Sequence, residues 1–165
     1  MKKVSSLLVL LLIVLNCKAQ DVVPTNFSAE ALNDTFVTLK GDTIAFKDIL
    51  ETYKGKTVVI DIWASWCKDC VGGMPKVKKV QGEFKDAVYL FLSLDKTDKA
   101  WKKGIKKYKV KGEHYFMQSG WKGVFGNFVQ LDWIPRYMVI NKAGEIVVFK
   151  VIEADDNKLI EALKN

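Results

Sequence analysis

Lys56 to Cys70 reads KTVVIDIWASWCKDC, and its two halves follow different rules. The first half, Lys56 to Ala64, is a β-branched and apolar run with Asp61 inside it, as expected of a strand buried on both faces. Such a strand suits the centre of a sheet covered by helices. The second half ends on Trp66-Cys67-Lys68-Asp69-Cys70, where the run gives way to a helix expected over Cys67 to Phe84 with Pro75 inside it. Cys67 therefore falls at a helix N-terminus, where free backbone N–H groups and the helix dipole stabilise a thiolate. Cys70, three residues on, lies on the same helix face one turn deeper. That spacing lets the two sulfurs bond reversibly. An exposed first sulfur would attack a substrate disulfide, and the deeper second sulfur would resolve the mixed disulfide.

Working outward, Ala87 to Leu94 (AVYLFLSL) is a second buried strand. Strand, helix and strand in succession imply a parallel pair. Upstream, Phe36 to Leu39 and Thr43 to Phe46 read as a hairpin with Gly41-Asp42 in its turn, followed by a short helix over Lys47 to Tyr53. Residues 21–34 read as a polar lead-in with little structure. Downstream, Trp101, Ile105 and Tyr108 recur at helical spacing among lysines, an amphipathic helix over Lys96 to Tyr108. A strand over Glu113 to Gln118 and a short helix over Trp121 to Phe128 follow. Arg136 to Asn141 and Glu145 to Glu153 form a second hairpin around Lys142-Ala143-Gly144. Asp155 to Lys164 closes the chain as a helix, with Asp155 or Asp156 as cap. The expected architecture is α/β: a mixed central sheet flanked by helices, extended by an N-terminal β-hairpin.

The chain has 165 residues, 49% hydrophobic and 27% charged. That is one domain of ordinary globular composition and excludes collagenous, low-complexity and wholly disordered classes. Its 26 basic residues outnumber 19 acids, but only Arg136 is an arginine. Nucleic-acid readers rely on Arg forks, so a lysine-rich solvated surface is the better reading and no nucleic-acid partner is expected.

Lys2 and Lys3, then the apolar run Leu7 to Leu15, then Asn16-Cys17-Lys18-Ala19, follow the three-part plan of a secretory signal peptide over residues 1–19. Two cleavage readings compete. Cleavage after Ala19 releases a soluble domain. Alternatively Cys17 accepts a lipid, and the mature protein begins there as a membrane-anchored lipoprotein. Either way the product is exported, periplasmic or facing the cell envelope, with one domain over residues 24–165. Of the three cysteines, Cys17, Cys67 and Cys70, only the last two remain free in an oxidising compartment.

Competing readings of that pair are weaker. Zinc needs about four ligands, and beyond the pair there is only His114; no metal and no cofactor are expected. A structural disulfide closing so short a loop would restrain little chain entropy.

Asp61-Ile62-Trp63-Ala64-Ser65-Trp66-Cys67-Lys68-Asp69-Cys70, with Pro75 five residues on and Ile134-Pro135 much later, resembles the thioredoxin superfamily. The apparent signal peptide, the N-terminal hairpin and the segment inserted before Pro135 resemble its exported TlpA/ResA-type branch, over roughly residues 24 to 165. The resemblance implies a redox-active disulfide with Cys67 as nucleophile and Cys70 as resolving thiol. It implies that Asp61 is a buried acid assisting proton transfer at Cys70. The residues agree in part: a buried Asp is expensive and has a raised pKa, whereas the plainer reading is a partly solvated strand position. Pro75 matches the proline that kinks the active-site helix. Pro135 matches the family's cis-proline, which offers backbone to an extended substrate; from sequence alone it only opens a strand.

Trp66, Trp133 and Ile134 are expected to help bind substrate at the rim of the site. Trp101 and Trp121 are expected to pack helices, and His114 to serve in the core or at a strand edge. Two features depart from the branch. Gly73 stands where exported relatives commonly carry Glu, and Lys68-Asp69 lacks the proline common between the cysteines.

The expected function is an exported thiol–disulfide oxidoreductase that reduces disulfides of cell-envelope proteins, supplied by a membrane thiol donor. The rivals are a disulfide-forming oxidant, a redox-inert peptide-binding module and a peroxiredoxin. The last would need a P-x-x-x-T-x-x-C setting that Cys67 lacks.

Overall fold

The computed structural model describes residues 23–165. The expected leader, with its alternatives at Cys17 and Ala19, lies outside the described residues. In chain order the elements are α1 (Ala29–Asn33), β1 (Thr35–Thr38), β2 (Thr43–Ala45), α2 (Phe46–Thr52), β3 (Val58–Trp63), α3 (Lys68–Glu83) and β4 (Val88–Ser93). Then come α4 (Asp98–Tyr108), β5 (Glu113–Phe116), α5 (Val124–Phe128), β6 (Arg136–Ile140), β7 (Ile146–Val151) and α6 (Asn157–Lys164).

The seven strands form one mixed sheet in the order β2-β1-β5-β4-β3-β6-β7. All six residues of β3 are buried, as its unbroken apolar run requires. It pairs in parallel with β4 and antiparallel with β6. The N-terminal hairpin joins the same sheet, because β1 pairs antiparallel with β5. Opposite residues in register point to one face. His114, Phe91, Asp61, Tyr137 and Val151 therefore form one row across β5, β4, β3, β6 and β7. The buried residues of α3, namely Cys70, Met74, Val77 and Val80, recur at helical spacing on the helix's inner side. Val77 and Val80, with Leu159 of α6, enclose a small void beside Asp61 and Tyr137, so α3 and α6 cover this face.

Three sequence expectations change. The lead-in is not unstructured: Ser28 caps α1 by accepting from the Ala31 N–H. Phe27 also enters a cluster with Phe46, Phe125 and Phe128, at ring separations of 4.9 to 6.0 Å. Polarity misled here, because a few apolar anchors, Phe27, Ala31 and Leu32, stand among polar residues and still pack on the core. The β1–β2 turn is longer than Gly41-Asp42 and spans Leu39 to Asp42, with Gly41 at φ +97°, a conformation that suits glycine. Trp121 precedes α5 rather than sitting in it, though it packs partly buried against the core.

Other expectations agree. Trp101 is fully buried and stacks on Phe116. His114 is buried on β5 with its Nε2 3.1 Å from the Val110 carbonyl, and burial lowers its pKa. Asp156 caps α6 by accepting from the Lys158 N–H at 2.8 Å.

Candidate active site

β3 ends at Trp63 and α3 begins at Lys68, so the intervening turn places Cys67 as the N-cap of α3. Its Sγ accepts a hydrogen bond from the Cys70 N–H at 3.0 Å. This is one of the orphan donors every helix leaves in its first turn. Cys67 and Cys70 are joined as a disulfide with their Cα atoms 5.3 Å apart. Sequence reasoning expected an exposed first sulfur. In this oxidised pair Cys67 is only 6% exposed, against 1% for Cys70. The reason is tertiary: the Ile134 carbonyl oxygen lies 3.6 Å from Cys67 Sγ. The Ile134–Pro135 bond is cis, and this backbone edge lies against the disulfide.

Residues with no sequence signal hold the site in place. Asp95, just past β4, is buried. It accepts from the Ser65 N–H at 3.1 Å, the Ser65 hydroxyl at 2.5 Å and the Ser93 hydroxyl at 2.9 Å. It thus ties the turn before Cys67 to the end of β4. On the other side of Ser65 stands α4: a Cβ on Gly104 would come within 2.4 Å of the Ser65 Cβ. Arg136, the first residue of β6, is fully buried, which its place at a strand start did not signal. Its guanidinium donates to the Val129 carbonyl at 2.8 Å, and to the Gln130 carbonyl and the Asp132 carboxylate. Asp132 also binds Lys150 at 2.6 Å. This cluster anchors the loop that carries Trp133 to Pro135. No spacing in the chain could have revealed these contacts, because Ser65 and Asp95 are thirty residues apart.

The expected site residues fall as follows. Asp61 is buried, and among the described residues neither carboxyl oxygen has a hydrogen-bond partner. Burial pushes its pKa well above the usual carboxylate range, and the partly solvated alternative does not hold. Asp61 faces the inner side of α3, on which Cys70 is the first buried residue. Trp66, next to Cys67 in the chain, and Trp133, in the loop before Pro135, are 52% and 56% exposed. A groove of about 570 Å³ runs beside the disulfide; Gly72, Gly73, Trp133, Pro135, Tyr137 and Ile152 are among its walls. A Cβ at Gly72 would meet nothing within 4 Å, and one at Gly73 would lie 3.6 Å from the Tyr137 hydroxyl. The glycine pair thus leaves the groove open. Among the described residues no cluster of three or more His, Cys, Asp or Glu could hold a metal. No helix among them is long and apolar enough to cross a membrane.

A mixed sheet, a Cys-x-x-Cys helix N-terminus and a proline-led strand against the pair define a thioredoxin-like redox protein. Residues 55–146 match the family model described as Thioredoxin-like. ResA, a thiol-disulfide oxidoreductase of Bacillus thuringiensis subsp. konkukian, is 34% identical over 140 residues, covering 82% of this chain and 75% of the relative. ResA of Bacillus cereus strain ZK is 30% identical over 120 residues, covering 72% of this chain and 65% of the relative, just under two-thirds of its length. Among solved structures, a thiol-disulfide oxidoreductase of Bacteroides vulgatus superposes with a TM-score of 0.67 at 28% identity, covering 84% of this chain and 88% of that one. The chain belongs to the thioredoxin-like family, as a thiol–disulfide oxidoreductase similar to ResA.

Proposed function

We propose that the protein is an exported reductant of disulfides in cell-envelope proteins, working through Cys67 and Cys70 and recharged by a membrane thiol donor. The observation that carries the roles of the two cysteines is the Cys70 N–H aimed at Cys67 Sγ at 3.0 Å, which would stabilise negative charge on that sulfur once the pair is reduced. In the forward reaction the Cys67 thiolate attacks one sulfur of the substrate disulfide. The substrate S–S bond breaks, its second sulfur leaves with the electron pair, and a mixed disulfide forms. Cys70 then gives its proton to the Asp61 carboxylate and attacks Cys67 Sγ. The Cys67–substrate bond breaks, the first substrate sulfur leaves as a thiolate, and the Cys67–Cys70 disulfide closes. Two electrons have passed from the cysteine pair to the substrate, and two thiols from the donor would restore it.

An extended substrate segment would lie along Ile134–Pro135, between Trp66 and Trp133. Their exposed rings support this reading, since large exposed apolar side chains around a site favour contact with apolar groups. Export rests on the N-terminal basic-apolar pattern, with cleavage after Ala19 or lipid attachment at Cys17 as its two forms. The reducing direction rests mainly on the likeness to the exported TlpA/ResA-type branch, and the residues beside Cys67 add limited support. A strong oxidant needs a greatly stabilised thiolate, and here Lys68 favours the Cys67 charge while Asp69 opposes it.

Equilibration of the pair with graded glutathione buffers tests the direction. A reductant has a potential well below about −120 mV, the value of a dedicated oxidant. A potential near that value reverses the direction, and a pair that does not exchange with glutathione makes the protein a redox-inert binding module. Trapping with Cys70→Ser in intact envelopes should collect exported proteins as mixed disulfides through Cys67.

A further inference from the structure

Two spaces near the site share one lining side chain. Outside is the groove beside the disulfide, open to solvent over Gly72 and Gly73. Inside, against Asp61, is a void of only about 10 Å³, at the lower limit of what a single water needs. Among the described residues Tyr137 is the one side chain that lines both. It stands directly opposite Asp61 in the β3–β6 register, so the two side chains share a face of the sheet, with Cβ atoms about 5 Å apart. The ring reaches from that row to the surface of α3, where its hydroxyl lies 3.6 Å from the position of a Gly73 Cβ. Tyr137 itself is only 2% exposed. The other walls around Asp61 are mainly apolar: Val59, Val77, Val80, Phe91 and Leu159.

We propose that the Tyr137 ring is a seal, a positioning residue that separates groove water from Asp61 and so sets when this carboxyl can exchange its proton. The proposal rests on the reading of Asp61 as the acid that serves Cys70. It also accounts for Gly73, the departure from the exported branch. A side chain longer than alanine there would compete with the Tyr137 hydroxyl for its place against α3, whereas glycine lets the ring close down.

The charged and titratable surroundings are consistent with a seal. On the groove side Lys76 of α3 pairs with Glu153 and Asp155 at 2.8 and 3.0 Å. These acids, with burial as the first cause and Asp61 as the second, keep the Tyr137 hydroxyl protonated. From β4, the Tyr89 hydroxyl donates towards the carbonyls of Val80 and Phe84, each at 3.1 Å, and so is turned to the end of α3. His114 of β5 stands in the same row but beyond Phe91, with which it stacks. Cys70 is the remaining titratable group on the facing side of α3, once the pair is reduced. None of these supplies Asp61 with a hydrogen bond.

The test is a carbon-13 NMR titration of the Asp61 carboxyl in the oxidised protein, compared across Tyr137→Phe and Tyr137→Ala. Tyr137→Phe keeps the ring and should leave the Asp61 midpoint in place. Tyr137→Ala admits water and should lower it by about one pH unit or more, since desolvation is what raises it. If Tyr137→Ala does not fold, Tyr137→Leu, which stays apolar but falls short of Gly73, answers the same question. An unchanged midpoint in folded Tyr137→Ala or Tyr137→Leu overturns the seal, and so does an equal fall in Tyr137→Phe. The rate of mixed-disulfide resolution against pH separates this from the role of Asp61. If the carboxyl midpoint falls in Tyr137→Ala but Asp61→Asn leaves the resolution profile unchanged, the seal stands and the relay role of Asp61 fails.

Discussion

At the scale of single residues, the two cysteines differ by position alone. Cys67 caps α3 and receives the Cys70 N–H, while Cys70 sits one turn inside, packed towards the core. In the reduced protein Cys67 should therefore carry the lower thiol pKa. Iodoacetamide labelling across pH should modify Cys67 first, and preferential labelling of Cys70 would reverse the two roles. Asp61 has the opposite electrostatics, a carboxyl whose pKa burial has raised well above the usual range. Between its unfolded pKa of about 3.9 and its folded value the native state binds more protons than the unfolded state. Stability from this group is therefore greatest below about pH 3.9 and falls as pH rises towards the folded value. Asp61→Asn keeps a buried polar group but removes the charge, so it should flatten that slope and raise stability at pH 7 by up to about 1.4 kcal/mol for each pH unit between the unfolded and folded midpoints. Urea denaturation at several pH values measures it; a variant less stable than wild type at pH 7 would make Asp61 a structural residue.

At the scale of elements, α3 and α4 use glycine for opposite purposes. Gly72 has open space where a Cβ would go, and its place in the second turn of α3 costs helix stability. Gly72→Ala should stabilise the protein by about 0.5–1 kcal/mol. Gly104 is the reverse case, since its Cβ would lie 2.4 Å from the Ser65 Cβ. Gly104→Ala must push α4 away from the turn that leads into Cys67, at a cost of about 1–3 kcal/mol. Thermal melts of the two variants should shift in opposite directions. The Gly104 variant should also lose thiol–disulfide exchange activity, because Ser65 and Asp95 set the approach to Cys67.

At the scale of the whole molecule, the N-terminal hairpin is part of the core. Phe125 of α5 is fully buried and meets Phe36 and Phe46 at ring separations of 5.3 and 4.6 Å. Asp34 ties the same layers by accepting from the Ser119 hydroxyl and the Phe125 N–H, both at 2.9 Å. Phe125→Ala should cost about 3–5 kcal/mol and lower one cooperative transition, because β1 is hydrogen-bonded into the same sheet as β3. Separate melting of the hairpin, seen as two transitions by circular dichroism, would show it to be an independent unit.

The sequence by itself determined the central strand, the helix that follows it and the place of Cys67 and Cys70 between them. These follow from local rules: a continuous apolar run, a change of period, and a fixed spacing of one helical turn. The closing hairpin and the amphipathic α4 were legible for the same reason. Only the tertiary structure decided what surrounds the pair. Ile134 reaches Cys67 from a position sixty-seven residues away, Asp95 holds Ser65 across thirty, and Tyr137 meets Asp61 through the pairing of β3 with β6. Contacts of that range depend on strand order and register, which no single segment encodes. Arg136 is the clearest instance: the sequence placed it at the start of a strand, and β6 carries its charge into the interior, where backbone carbonyls and Asp132 accept its hydrogen bonds. A buried charge is stable only with such partners, and those partners come together only when the chain has folded.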